Sequence, residues 1–287
     1  MELFFGQLLL GLINGSFYAM LSLGIALVFG LLHIINFAHG ALYMVGAFLA
    51  WLLLQHTGLN FWWALLLVPL VVAVIGGVLE RTLLTRLHGL DPLYGFLLTF
   101  GLTLVIEGLF RYGFGSSGRA YPVPELLRGA VDLGFVYVPY YRLFVVAVSL
   151  LVCLGTWALI ERSTLGAYMR AATENAALVQ VFGVNVSRLV TLTFAAAAGL
   201  AALAGVLAAP ILQVSPQMGS NLIILVFGVV VIGGMGSVFG AVTTGYLLGM
   251  VEGMTKFFYP PGATLAVFVV MALVLLVRPG GLFARSA

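Results

Sequence analysis

Long apolar runs alternate with short polar or glycine-rich interruptions from one end of the chain to the other. Apolar runs of eighteen or more residues, long enough to cross roughly 30 Å of hydrocarbon as a helix, recur along the whole length. Helices are predicted over 5–30, 40–57, 61–80, 91–111, 142–160, 189–211, 220–235, 237–257 and 262–277. The seventh and eighth are separated only by GGMGS and read as short or broken. Alternation at period two over about ten residues, the mark of a membrane barrel strand, does not appear. Backbone in lipid must satisfy its own hydrogen bonds, which selects helices. The expected fold is an all-α polytopic bundle of about eight to nine membrane helices, some short or broken. It forms one membrane domain over 1–287, because the longest connections, about 112–141 and 161–188, are too short for a soluble domain.

Composition agrees: 63% of the 287 residues are hydrophobic and 7% are charged, against about a quarter charged in soluble domains. The basic residues stand at span ends rather than in a run, so nucleic acid is excluded as a partner and the bilayer is the expected one. The N-terminal MELFFGQLLL has no Arg or Lys before its apolar run, unlike a signal peptide, and is expected in the mature protein. With an odd number of spans, Arg81, Arg86, Arg162, Arg170, Arg188, Arg278 and Arg285 share one side. Arg111, Arg119, Arg128 and Arg142 take the other. The excess places the C-terminus in the cytoplasm. The loop 112–141, rich in Gly, Pro and Tyr, is expected outside, with short strands or turns and interfacial aromatics, or as a docking or gating surface. Cys153 stands alone in an apolar run, a core residue with no disulfide partner.

Chemistry concentrates in a few interruptions. HIINFAHG places His33, Asn36 and His39 between two apolar runs. If 31–40 is a helix break, freed backbone groups and these side chains line a cavity, as broken helices do in transporters; otherwise they cap helix ends. Asn14 and Ser16 in the first span belong with Asn36 and His39, as do Tyr43, Gln213 and Asn221, and these seven are the candidate substrate-path residues. No metal site is expected, since His39 has no second ligand at helical spacing. Glu107 and Arg111, like Glu252 and Lys256, stand four apart, a favourable pairing geometry at a helix end. Gly233, Gly234, Gly236, Gly240, Gly245 and Gly249 are candidate helix-packing or gating glycines, with four-residue spacing from Gly236 to Gly240 and from Gly245 through Gly249 to Gly253. VIGGMGSVFGA is no phosphate loop, because no lysine completes it; the only lysine is Lys256. In the segment 161–188, Ala171 to Phe182 reads as a short amphipathic helix with Thr173 as N-cap and Gly183 as its stop. Such a helix lies on the bilayer or inserts into a partner's groove.

NFAHG at Asn36 to Gly40, with YAMLSLGIALVFG before it and ALYMVGAF after it, resembles the signature region of LivH-type permease subunits of branched-chain amino acid ABC importers. GAYMRAATENAALVQVFGVNVSRLV resembles that family's coupling loop, and GGMGSVFGAVTTGYLLG its late glycine motif. The resemblance extends from about Asn14 to VRPGGLF. It implies an ABC importer permease in a bacterial or archaeal cell membrane, not an enzyme and holding no cofactor itself. ATP and magnesium would be bound by two cytoplasmic ATPase subunits. Arg170, Thr173, Glu174, Asn175, Gln180 and Gly183 would form the coupling helix that docks into them. A paralogous second permease and an exterior binding protein would complete the system. Permeases for urea and short-chain amides are close relatives, often with Met where Phe37 stands. An ATP-independent carrier or channel is the alternative from another class.

Overall fold

The structure is a computed structural model that describes residues 2–32, 34–132, 134 and 136–283. His33 lies outside the described residues. Among the described residues there are ten α-helices: α1 (Glu2–Leu32), α2 (Ala38–Thr57), α3 (Phe61–Thr82), α4 (Pro92–Phe114), α5 (Tyr140–Arg162), α6 (Thr164–Val181), α7 (Val186–Ala208), α8 (Met218–Gly233), α9 (Val238–Phe258) and α10 (Ala263–Val277). Strands β1 (Ala130–Asp132) and β2 (Tyr137–Pro139) pair antiparallel, with Val131 opposite Val138. They form a small hairpin in the predicted loop.

Seven helices are long and apolar enough to cross a membrane, so the chain is an all-α, multi-pass membrane protein. Two of the nine expected spans depart from that class. α8 has 16 residues, about 24 Å of helix, short of the roughly 30 Å of hydrocarbon. α9 has 21 residues but carries Thr243, Thr244, Glu252 and Lys256 among its glycines. At the other extreme, the 31 residues of α1 make a rod of about 46 Å.

Two compact units divide the chain. The first comprises Met1–Leu23, Pro122–Leu154 and Ile224–Ala287. Its organising contact is α9 against the first part of α1. Added Cβ atoms at Gly245, Gly249 and Gly253 would strike the α1 backbone at Ala19, at Gly15 and Gly11, and at Gly11 and Gln7. Small residues four apart on both helices let the two backbones touch. Gly233 and Gly240 approach each other equally closely at the α8–α9 turn, where Gly234 and Gly236 hold positive φ of 98° and 85°.

The second unit comprises Gly24–Tyr121 and Gly155–Ile223. Here α7 is the hub. It meets α3 where Gly76 faces Ala198 and Gly199 faces Pro69, and α2 where Gly46 faces Ala202 and Gly205 faces Tyr43. Ala197, Ala198, Ala201, Ala202, Ala204 and Ala208 of α7 are all buried. The alanine-rich run of the sequence is therefore a surface that brings neighbouring backbones close. α2 is buried continuously from Ala38 to Phe48, a central helix rather than a lipid-facing one.

Candidate functional site

Helix α1 ends at Leu32 and α2 begins at Ala38, so the predicted break exists and is shorter than 31–40. Thr99 of α4 holds it. Its hydroxyl accepts from Phe37 N at 3.2 Å and lies 3.1 Å from Ile35 O, to which it can donate. Phe37 packs edge-on against Phe96 at 5.1 Å. Three polar side chains follow at spacings of three and four: Asn36 is 3% exposed, and His39 and Tyr43 are fully buried. Asn36 Oδ1 and Tyr43 OH have no hydrogen-bond partner among the described residues. A buried polar atom left so costs about 1–3 kcal/mol, and such a cost in a native core points to a ligand, water or alternative state that satisfies it. The His39 ring lies flush against Gly24 of α1, where a Cβ would meet Nε2.

The start of α8 joins this region. Gly219 and Gly40 are in backbone contact, so that a Cβ on either would strike the other's carbonyl. Ser220 donates to Glu107 Oε1. Glu107 therefore does not form the expected pair with Arg111, which is exposed. α4 runs on to Phe114, placing Glu107 two turns from the helix end and 7% exposed. A carboxylate beside the first turn of α8 also suits that helix's positive end. Of the remaining path candidates in this unit, Asn221 is exposed on the same first turn of α8. Gln213 lies elsewhere, in the α7–α8 connection, packed on Gly118 next to the backbone pairing of Arg119 with Val214. The structure thus groups Asn36, His39, Tyr43 and the start of α8, and leaves Gln213 apart.

In the other unit, Asn14 is half-buried on α1. The Ser16 hydroxyl turns back on Leu12 O at 3.1 Å, while its carbonyl accepts from Ser149 at 3.0 Å. Tyr246 OH donates to Ser149 at 2.8 Å, so Ser16 belongs to a buried network between helices. Glu252 forms the expected pair with Lys256 at 2.5 Å and also accepts from Tyr18 at 2.5 Å.

Helix α6 differs from its prediction in start and cap. It begins at Thr164 with Ser163 as N-cap, and Thr173 sits inside it, in reach of Gly30 O and Met169 O at 2.9 Å each. The chain breaks instead at Asn175 (φ −153°, ψ 92°), whose Oδ1 accepts from Leu178 N at 2.9 Å and starts a second short turn. Gly183, at φ 84°, ends the turn with its N–H on Gln180 O while Val184 N reaches Val179 O. That is the double bond of a glycine-terminated helix. Arg170 bends back to Ile160 O at 2.8 Å and to Glu161 at 3.8 Å. Past the break the surface is apolar and open: Leu178 is 55%, Val181 82% and Phe182 78% exposed. Glu174, Asn175 and Gln180 are exposed around it.

Residues that the sequence reasoning passed over include Thr99 and Glu80. Glu80 is 1% exposed and accepts from Thr191 of α7 at 2.5 Å. Glu80 is the last residue of the predicted span 61–80, and only packing reveals it as buried.

The family model described as branched-chain amino acid transport system, permease component, matches residues 7–277. The chain is 31% identical to the high-affinity branched-chain amino acid transport system permease protein BraD of Pseudomonas aeruginosa, over 97% of this chain and 95% of that one. It is 28% identical to the permease protein LivH of Escherichia coli over 98% and 96%. It is 30% identical to the permease protein LivM of Salmonella typhimurium over 92% and 67%.

Proposed function

The chain belongs to the family of branched-chain amino acid transport system permease components, and on that premise we propose that it forms part of the translocation path of an ATP-driven importer. Its cargo is a branched-chain or other hydrophobic amino acid; branched-chain amino acids are what the names of its relatives give. Two cytoplasmic ATPase subunits bind ATP and magnesium, a paralogous permease completes the path, and an exterior binding protein delivers cargo.

The observation that carries this reading is the open turn after Asn175. Leu178, Val181 and Phe182 form an exposed apolar knob on a helix held to α1 through Thr173 and Gly30. An amphipathic turn of this kind fits the groove of a partner, and its anchorage passes a push on α6 to α1. Closure of the ATPase subunits on ATP then rocks the permeases between outward and inward states. On the path itself, the unsatisfied Asn36 Oδ1 and Tyr43 OH offer an acceptor and a donor to the cargo's ammonium and carboxylate. Aliphatic surroundings discriminate by only about 1–3 kcal/mol per methylene, so much of the selectivity rests with the exterior protein.

The test is uptake of labelled leucine into proteoliposomes that carry this chain with its genomic neighbours, with and without ATP. Uptake needs ATP and the neighbours, and Glu174→Ala with Gln180→Ala, or Phe182→Ser, lowers it by weakening ATPase assembly. ATP-independent uptake by this chain alone would make it a carrier or channel. ATP-driven uptake of urea in place of leucine would reassign the cargo.

A further inference from the structure

The second unit contains a cavity of about 230 Å³ that none of the proposed transport steps uses. Leu31 of α1, Leu87 and Leu90 of the α3–α4 connection, and Val190 of α7 give it an aliphatic wall. Asp91 and His88 supply its polar side chains, and Ala172 and Ala176 of α6 line its remaining side. The volume lies below the roughly 300–1,000 Å³ of sites for drug-sized ligands, so the occupant is small. Its chemistry is specified by the walls: an aliphatic group against the leucines, a cation for Asp91, a hydrogen-bond acceptor for the His88 imidazole. Asp91 Oδ1 is engaged by Leu93 N at 2.8 Å as the cap of α4, which leaves the second oxygen for an ammonium. His88 Nε2 stands 3.5 Å from Glu80, and an imidazole carries at least one N–H donor in every form. An aliphatic α-amino acid satisfies all three demands in one molecule of that size.

The position of the cavity says what occupancy does. Ala172 and Ala176 flank Asn175, the non-helical break in α6, so a ligand here touches α6 on both sides of its hinge. Val190 and Leu31 tie the same space to α7 and α1. We propose that the cavity is a second, regulatory site for an aliphatic amino acid, and that its occupancy holds the α6 break rigid and slows ATP-driven uptake. The proposal rests on the importer reading above and adds feedback by accumulated cargo on the side that bears α6.

The experiment uses the whole importer complex in proteoliposomes with ATP inside, binding protein and labelled leucine outside, and unlabelled leucine preloaded at graded concentration. Preloaded lysine is the control. Luminal leucine, and not lysine, lowers the initial rate in the unaltered complex. Asp91→Asn keeps the helix cap, since Asn caps as well as Asp, and leaves the rate without luminal leucine unchanged. It raises the half-inhibitory concentration about tenfold or more, as the loss of a charged hydrogen bond would. Leu87→Trp fills the cavity and gives the same insensitivity independently of charge. A rate indifferent to luminal leucine in the unaltered complex overturns the proposal while leaving the importer intact. So does equal inhibition of the unaltered complex and both variants, which would put feedback outside this cavity. Absence of ATP-driven uptake even without luminal leucine overturns the importer reading, and the regulatory site with it.

Discussion

Replacing Glu80 tests whether a buried acid holds α3 to α7. Its side chain accepts from Thr191 at 2.5 Å, from Thr85 at 3.1 Å, and pairs with His88 at 3.5 Å. These contacts are unequal. The single Thr85 proton is shared with Glu80's own carbonyl at 3.0 Å, and His88 is 31% exposed, where an ion pair is worth about 0–1 kcal/mol. The Thr191 bond is part-buried and the same hydroxyl also lies 3.1 Å from Ser187 O, but at 2.5 Å to the carboxylate it is the shortest of the three; it is worth about 1.5–3 kcal/mol and dominates. Glu80→Ala removes all three and leaves the Thr191 hydroxyl facing a hole, for a loss of about 3–5 kcal/mol. Glu80→Gln keeps one acceptor and costs about 1–2 kcal/mol, and His88→Ala costs less than about 1 kcal/mol. A protein with this many spans does not unfold in one step, so the ordering of midpoints is the readout rather than a free energy. Fluorescence-detected size exclusion after a heating series in detergent gives it: His88→Ala above Glu80→Gln above Glu80→Ala. Equal midpoints for the Gln and Ala variants, or a larger loss for His88→Ala than for Glu80→Ala, would refute the assignment of the energy to the Thr191 bond.

Packing and burial give three further expectations. Gly249→Ala places a methyl into the α1 backbone at Gly11 and Gly15 and lowers the same midpoint sharply, at an overpacking cost of about 1–3 kcal/mol or more. By contrast, Gly108→Ala on α4, where a Cβ meets nothing, raises it slightly through helix propensity of up to about 1 kcal/mol. Tyr121, outside the spans, is buried, its hydroxyl without a hydrogen-bond partner among the described residues, and burial pushes its phenol up to about 12 from the usual 10.0. The native state therefore keeps the proton that the unfolded state gives up first. This stabilising contribution is complete below pH 10 and is lost as pH rises through about 12. Tyr121→Phe removes that alkaline loss without lowering the midpoint at neutral pH, as thermal series at neutral and strongly alkaline pH will show.

How much of this was legible beforehand differs from element to element. The break before α2 was readable because Asn and His between apolar runs are out of place in lipid, and α2 to α5 began and ended within about three residues of their predicted limits, a usual error for boundaries. The short helix of the segment 161–188 was found through its Gly183 stop, but the cap was misplaced on Thr173. Threonine and asparagine both cap, and only the backbone angles at Asn175 distinguish them. Glu107 was assigned to Arg111 because four-residue spacing is visible in sequence. Ser220, its actual partner, is 113 residues away and no local pattern announces it.

The sequence alone determined what depends on the solvent. Apolar length forces helices across a bilayer, since unpaired backbone is too costly there, and glycines at four-residue spacing mark the faces where helices can touch. It did not determine which faces meet. Gly249 needed Gly11 and Gly15, Gly40 needed Gly219, and Glu80 needed Thr191. In lipid, every helix face is apolar enough to be exposed, so hydrophobicity no longer separates inside from outside. The partner of each small or polar residue is then chosen by backbone proximity and hydrogen bonding, which exist only once the helices are assembled.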